Sequence, residues 1–283
     1  MVVRLAILLA IVAGCSAEPR RIISTAPSIT EMLFALGLGD RVVGVTTFCR
    51  YPPEAVTKPK IGSYLRPDVE AILALRPDLV IVEKSMFRRA LASPQLKLPL
   101  LEVDDATIEG VFDSIRAIGR AAGVDERSSQ LVARIRSELD GLRRAGSGRA
   151  PPTVLFIVGR TPGRIEDLIA AGRGSYISEL IALAGGKNIL DDAAAPYSKI
   201  GIEQILARNP DVILDMGDMA SAGDHPDLPR QDVLRLWQRF KNLKAVQQGR
   251  VYSVNSDVFM IPGPRLAEAA LRIAKLLFPG SRP

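Results

Sequence analysis

Residues 69–82 read VEAILALRPDLVIV, and residues 202–215 read IEQILARNPDVILD. Aligned without a gap, they share Glu70/Glu203, Ile72/Ile205, Leu73/Leu206, Ala74/Ala207, Pro77/Pro210 and Asp78/Asp211. Each copy opens with apolar residues at helical spacing, which predicts a short amphipathic helix. Each breaks before its proline, where helical backbone is disfavoured. A β-branched apolar run follows, as in a strand covered on both faces of a parallel sheet. A second pair lies in the same order. Thr30-Glu31-Met32-Leu33-Phe34-Ala35-Leu36-Gly37 matches Ser178-Glu179-Leu180-Ile181-Ala182-Leu183-Ala184-Gly185. Both read as helices ending in a glycine suited to a left-handed cap. The duplication predicts two similar α/β lobes; a chance match of a common helix–Pro-Asp–strand unit is the alternative.

Between the copies, residues 125–144 contain a single glycine and no proline, with Leu131, Ile135, Leu139 and Leu142 as an apolar stripe. They predict one helix roughly 30 Å long, about the width of a lobe. The segment Gly146-Ser147-Gly148-Arg149-Ala150-Pro151-Pro152 closes it as a linker. The boundaries expected are a signal over 1–14, a tether over 15–20, an N-terminal lobe over 21–123, a bridge over 124–150 and a C-terminal lobe over 151–283.

The N-terminus reads as an address. A short charged start and the apolar run Leu5 to Val12 precede Val12-Ala13-Gly14-Cys15. The run is too short for a membrane-spanning helix. The Val12–Cys15 tail resembles a bacterial lipoprotein signal, which implies acylation of Cys15 and a lipid anchor outside the cytoplasm. An ordinary secretory signal is the alternative. With Cys15 used, only Cys49 remains, so no intramolecular disulfide is expected.

The chain has 47% hydrophobic residues and a formal net charge of +6, and its basic residues are scattered among acids with few aromatics between. That argues against a nucleic-acid groove. Ser28-Ile29-Thr30-Glu31 fits a capping box. The loops at 46–53, 62–64, 159–164, 195–198 and 256–265 follow strands or precede the repeat copies. Enzyme signals are absent: there is no G-x-S-x-G and no H-E-x-x-H. A carboxylate pair distant in sequence stays open, so an exported enzyme is one alternative. One histidine, His225, cannot build a His-rich metal site. Cys49, in a loop, is a neutral thiol or a soft-metal ligand.

Tyr51-Pro52-Pro53-Glu54-Ala55, Gly62-Ser63-Tyr64 six residues before Glu70, Tyr197 six before Glu203, the paired units and Gly185-Gly186-Lys187-Asn188-Ile189 occur in order. Together they resemble the substrate-binding proteins of the vitamin B12 and iron–siderophore class of ABC importers, over nearly the whole mature chain. The resemblance implies two Rossmann-like lobes joined by one rigid helix, the class III periplasmic-binding-protein fold, with ligand held between lobes and no catalysis. It implies Phe48, Tyr64 and Tyr197 as aromatic contacts to a corrin, with Phe259 and Arg265 in the last cleft loop. It implies Glu70 and Glu203 as docking residues for a permease dimer with its ATPase subunits. The chain also departs from the cobalamin pattern. Glu83 and Val258 stand where tryptophans are expected, and Arg164 replaces an aromatic. Arg50, Lys84, Arg160 and Arg164 predict a basic mouth, which suits an anionic ferric siderophore. A cobalt corrinoid and a ferric siderophore both remain as ligands. The expected protein is a monomer without cofactor or metal of its own; one feeding a sensor is a further alternative.

Overall fold

The computed structural model describes residues 18–63, 66–84, 91, 93–146, 148–217 and 230–280. Cys15, Tyr64 and His225 lie outside them. The first lobe carries β1 (Ile22–Ser24), α1 (Pro27–Ala35), β2 (Val42–Val45), α2 (Val69–Ala74), β3 (Leu79–Glu83), β4 (Leu100–Val103) and α3 (Ile108–Ala121). Helix α4 (Asp125–Gly146) follows. The second lobe carries β5 (Thr153–Gly159), β6 (Ile169–Ala171), α5 (Tyr176–Leu183), β7 (Lys187–Asn188), β8 (Tyr197–Lys199) and α6 (Ile202–Arg208). It continues with β9 (Val212–Asp215), α7 (Arg230–Trp237), α8 (Lys244–Gln247), β10 (Val251–Ser253), α9 (Asp257–Met260) and α10 (Leu266–Leu277).

The first sheet is parallel throughout, in the order β2-β1-β3-β4. The second runs β10-β9-β5-β6-β8; its β10-β9-β5 part is parallel, β6 and β8 are antiparallel additions, and β7 pairs with β5. Strand side chains alternate between faces. In β3, Leu79 and Ile81 enter one core while Val80 and Val82 enter another. In β5, Val154, Phe156 and Val158 face one core while Leu155 and Ile157 face the other. The core that holds Leu79 and Phe156 runs through both lobes. Leu131, Ile135 and Leu139 of α4 plug into it, with Leu142 packed at its margin. The predicted stripe is therefore the seam that joins the lobes.

The two repeat copies superpose in role. Arg76 and Asn209, each just before the proline, adopt left-handed backbone at φ 43° and 42°. The chain thereby turns sharply from helix into strand. Asp78 accepts from the backbone N–H groups of Arg20 and Arg21 at 2.8 Å. Asp211 Oδ2 accepts from the N–H and hydroxyl of Thr153, both at 2.8 Å. Each aspartate thus pins the start of its lobe's first strand beside the repeat strand. Gly37 and Gly185, at φ 72° and 83°, are the left-handed caps the second pair predicts.

Three local expectations fail. Helix α1 starts at Ala26 with Pro27 in its first turn and has no side-chain cap. Ser28 donates instead to Glu83 Oε1 at 2.9 Å, and Glu31 is turned toward the second lobe. The segment 195–198, expected as a loop, contributes the edge strand β8, and α9 interrupts the loop at 256–265.

Burial alone would raise the Asp211 carboxyl, but Lys244 and the Thr153 donors outweigh it and hold it below the usual range. Stabilisation from such a depressed group is present above its unfolded pKa and is lost as pH falls. Replacing Asp211 with alanine should cost about 1–3 kcal/mol at pH 7. Urea unfolding checks this: the gap to wild type should close below about pH 4.

Candidate functional site

The carboxyl ends of the parallel strands are where open α/β sheets bind ligands. The loop after β2 presents Phe48, which is 45% exposed. From the other lobe, Tyr197 on β8 is 46% exposed. Its ring is open, yet its phenol is pushed up to about 12 by burial and by the charge of Asp105, which follows β4 in the first lobe. Tyr197 therefore stays neutral and offers an aromatic face whose polar end senses the opposite lobe. Near Asp105 lie Ser28 and Glu83, and burial pushes the Asp105 carboxyl up; its Oδ2 is buried without a partner. Tyr51, 43% exposed, adds a third aromatic surface beside Phe48 in sequence. In sequence it stands only as part of the Tyr51–Ala55 family signature, with nothing local to mark it as a contact.

Other candidates are placed differently. The ring of Phe259 is in the core, 4% exposed, edge-on to Phe156 at 6.2 Å. Its carbonyl accepts from the Tyr176 hydroxyl. As a ligand contact it is corrected: a large apolar ring on a one-turn helix beside the core is pulled inward. Val258 is buried beside it. Arg160, expected at a basic mouth, is fully internal. Its Nε bonds both Asp215 oxygens at 3.1 and 3.2 Å, and Asp215 also accepts from Trp237 Nε1 and Gly217 N–H, each at 2.7 Å. A guanidinium at the end of a buried strand was drawn to the one carboxylate there. Cys49 is buried, its sulfur 3.1 Å from the Thr30 and Thr46 hydroxyls, and burial pushes the thiol up. It is a neutral thiol facing the core. Arg164 is exposed and 3.4 Å from Glu166, and Lys84 is 3.7 Å from Asp104. Three of the four cations expected at a basic mouth, Lys84, Arg160 and Arg164, are thus paired with carboxylates. No group of three or more metal-ligating side chains that could hold an ion occurs among the described residues.

Arg265 lies at the start of α10 and reaches across to the first lobe. Its Nε donates to Glu31 Oε2 at 2.9 Å, and its Nη2 bonds Glu31 Oε1. Asp257 takes two further bonds at 3.2 Å, and the guanidinium stacks on Tyr51, 4.1 Å from the ring centroid. Expected as a ligand-binding cation, Arg265 is instead committed to a strut between lobes.

A family model described as periplasmic binding protein matches residues 22–258. The chain belongs to the periplasmic binding protein family. It is 33% identical over 271 residues to an uncharacterised ABC transporter substrate-binding lipoprotein, YvrC, of Bacillus subtilis, spanning 93% of this chain and 81% of that one. The crystal structure of the periplasmic vitamin B12-binding protein BtuF of Vibrio cholerae matches with a TM-score of 0.75 and 29% identity, over 92% of this chain and 97% of that one. The apo periplasmic heme-binding protein RhuT of Roseiflexus sp. RS-1 also matches, with a TM-score of 0.75 and 28% identity, over 91% and 97%. The chain is therefore a class III substrate-binding protein of the ABC import type and not an enzyme. Among its described residues no helix is long and apolar enough to cross a membrane.

Removing Arg265 would leave Glu31, with a side chain only 2% exposed, buried and unpaired. Arg265→Ala should cost about 3–5 kcal/mol. Adding Glu31→Gln should recover part of that loss, which thermal unfolding of the single and double variants measures.

Proposed function

We propose that the chain captures a neutral, flat metal chelate, a cobalt corrinoid, between its lobes and hands it to an ABC permease. The carrying observation is the pair of open aromatic faces, Phe48 in the loop after β2 and Tyr197 at the start of β8, contributed by opposite lobes. Aromatic faces supply large apolar contact at little entropic cost, which suits a planar ligand. The pairing of Arg160, Arg164, Lys84 and Arg265 with carboxylates supports a ligand of low charge. An anionic ferric siderophore or heme would want free guanidinium forks. The likeness to the vitamin B12-binding protein points the same way; the likeness to the heme-binding protein makes hemin the competing ligand to test.

Tyr64, one repeat before Tyr197, joins the aromatic set on sequence grounds. Acylation of Cys15 anchors the protein at a membrane surface outside the cytoplasm, where it acts as a monomer. Glu70 and Glu203, exposed near the starts of α2 and α6, orient it on a permease dimer with ATPase subunits. Acidic residues in a first turn also complement the helix dipole, so their exposure on both lobes, not their helix position alone, supports docking.

Calorimetry with cyanocobinamide, cyanocobalamin, hemin and a panel of ferric siderophores tests the ligand. Heat is the right readout, because Trp237, the one tryptophan, is fully buried in a core of the second lobe. One-to-one binding of a corrinoid is expected, weakened about tenfold by Phe48→Ala or Tyr197→Ala, about 1.4 kcal/mol each. Cys49→Ser should leave it unchanged. Tighter binding of hemin or a siderophore would overturn the corrinoid reading. For delivery, Glu70→Arg with Glu203→Arg should keep chelate affinity and abolish uptake; normal uptake by that double variant would contradict docking.

A further inference from the structure

The helices α2 and α6 carry more in common than their core demands. Ile72 and Ile205 are the side chains that bury into the lobes, at 0% exposure each. Around the rest of the two helices the copies have diverged: Ala71 against Gln204, Leu75 against Arg208, Arg76 against Asn209. Three exposed positions have not. Glu70, Leu73 and Ala74 recur as Glu203, Leu206 and Ala207, and all six residues are exposed. Spaced i, i+3 and i+4, each set occupies one face of its helix. Leu73 and Leu206 are 41% and 40% exposed, two of the few large apolar side chains left open among the described residues. A single exposed leucine needs no explanation. The same acid–leucine–alanine face, open on both lobes of a duplicated chain, does.

Each helix runs back against the parallel strand that follows it, so each begins near the cleft edge of its lobe. The two faces are thus one patch presented twice by an approximate two-fold arrangement. We infer that Leu73 with Ala74 and Leu206 with Ala207 form a duplicated apolar docking knob, seated on the two equivalent subunits of a homodimeric membrane permease, with the neighbouring glutamates meeting cationic groups. This rests on the transport reading above and extends it from the two charges to the surface that supplies contact area. The alanines allow close approach, and the leucines fill apolar sockets. A second copy of this chain fits poorly, since patch against patch would oppose glutamate to glutamate. A lipid surface with anionic headgroups would repel the same carboxylates.

The test places a photo-crosslinking amino acid at position 73 or 206 of the full-length lipoprotein in the cells that make it. Both positions should crosslink to the same multi-span membrane subunit, identified by mass spectrometry. Crosslinks only to a second copy, only to lipid, or to unrelated proteins at the two positions overturn the inference. In parallel, Leu73→Ser with Leu206→Ser should lower labelled cobinamide uptake at least tenfold, while cobinamide affinity and thermal midpoint stay unchanged. Val56→Ser removes a more exposed apolar residue, at 54%, that has no counterpart in the other lobe. It should leave uptake unchanged. Uptake retained by the double leucine variant overturns the docking role. If purified protein binds no corrinoid while both crosslinks form, the ligand reading fails and the docking surface stands.

Discussion

Two glutamates at matching positions of the second repeat hold the molecule in its working shape. Glu31 of α1 is clasped by Arg265 from the second lobe, at 2.9 Å. Glu179 of α5 accepts from the Ile108 N–H of the first lobe, at 2.8 Å, and so satisfies the start of α3. Each lobe therefore extends one carboxylate to the other. The Tyr176 N–H adds a third crossing bond, to the Ala106 carbonyl at 3.2 Å. Buried or half-buried charge-assisted bonds are strong and geometrically demanding. With α4 threaded through a core common to both lobes, they define how far apart the cleft walls stand. Any large rotation of one lobe against the other must break these bonds and shear the shared core.

The first repeat has a complementary job. Its inward residues are structural: Ile72 and Ile205 anchor the helices, and Asp78 and Asp211 pin the first strands. Its outward residues are free of those duties. A duplicated fold thus separates constraints by face, with the core side of the unit fixed by packing and the solvent side not bound by it.

The sequence made much of this legible, for physical reasons that differ from residue to residue. Strand and helix positions came from periodicity, which packing enforces; the stripe Leu131, Ile135, Leu139 and Leu142 located the bridge because one helix face must be buried. The Pro-Asp pairs marked the turn into each repeat strand because backbone chemistry leaves few options there. Partner choice among charged residues was not legible. Ser28 and Glu31 have the spacing of a cap, but Pro27 relieves the helix start of one N–H, and Glu31 has a guanidinium within reach that lies 234 residues away in sequence. Arg160 and Arg265 likewise look free in a linear reading. Only the folded chain brings Asp215 and Glu31 to them. Phe259 shows the same limit for apolar groups: loop membership says where the backbone runs, not which way a ring turns.

The cleft chemistry that emerges differs from the one its arginines suggest. Four cations near the mouth or its walls each meet a carboxylate, while Asp105 and Glu83 lie together near the Ser28 hydroxyl and the reach of Tyr197. Exposed ion pairs contribute little to stability, but they still cancel the field an incoming ligand would feel. Phe48 and Tyr51 on one lobe and Tyr197 on the other keep open rings, the Tyr197 phenol stays neutral, and the Asp105 Oδ2 is buried. On the corrinoid reading proposed above, open rings suit a broad apolar ligand over one whose rim carries negative charge. On that reading, specificity rests on the open rings and on cations already committed to carboxylates.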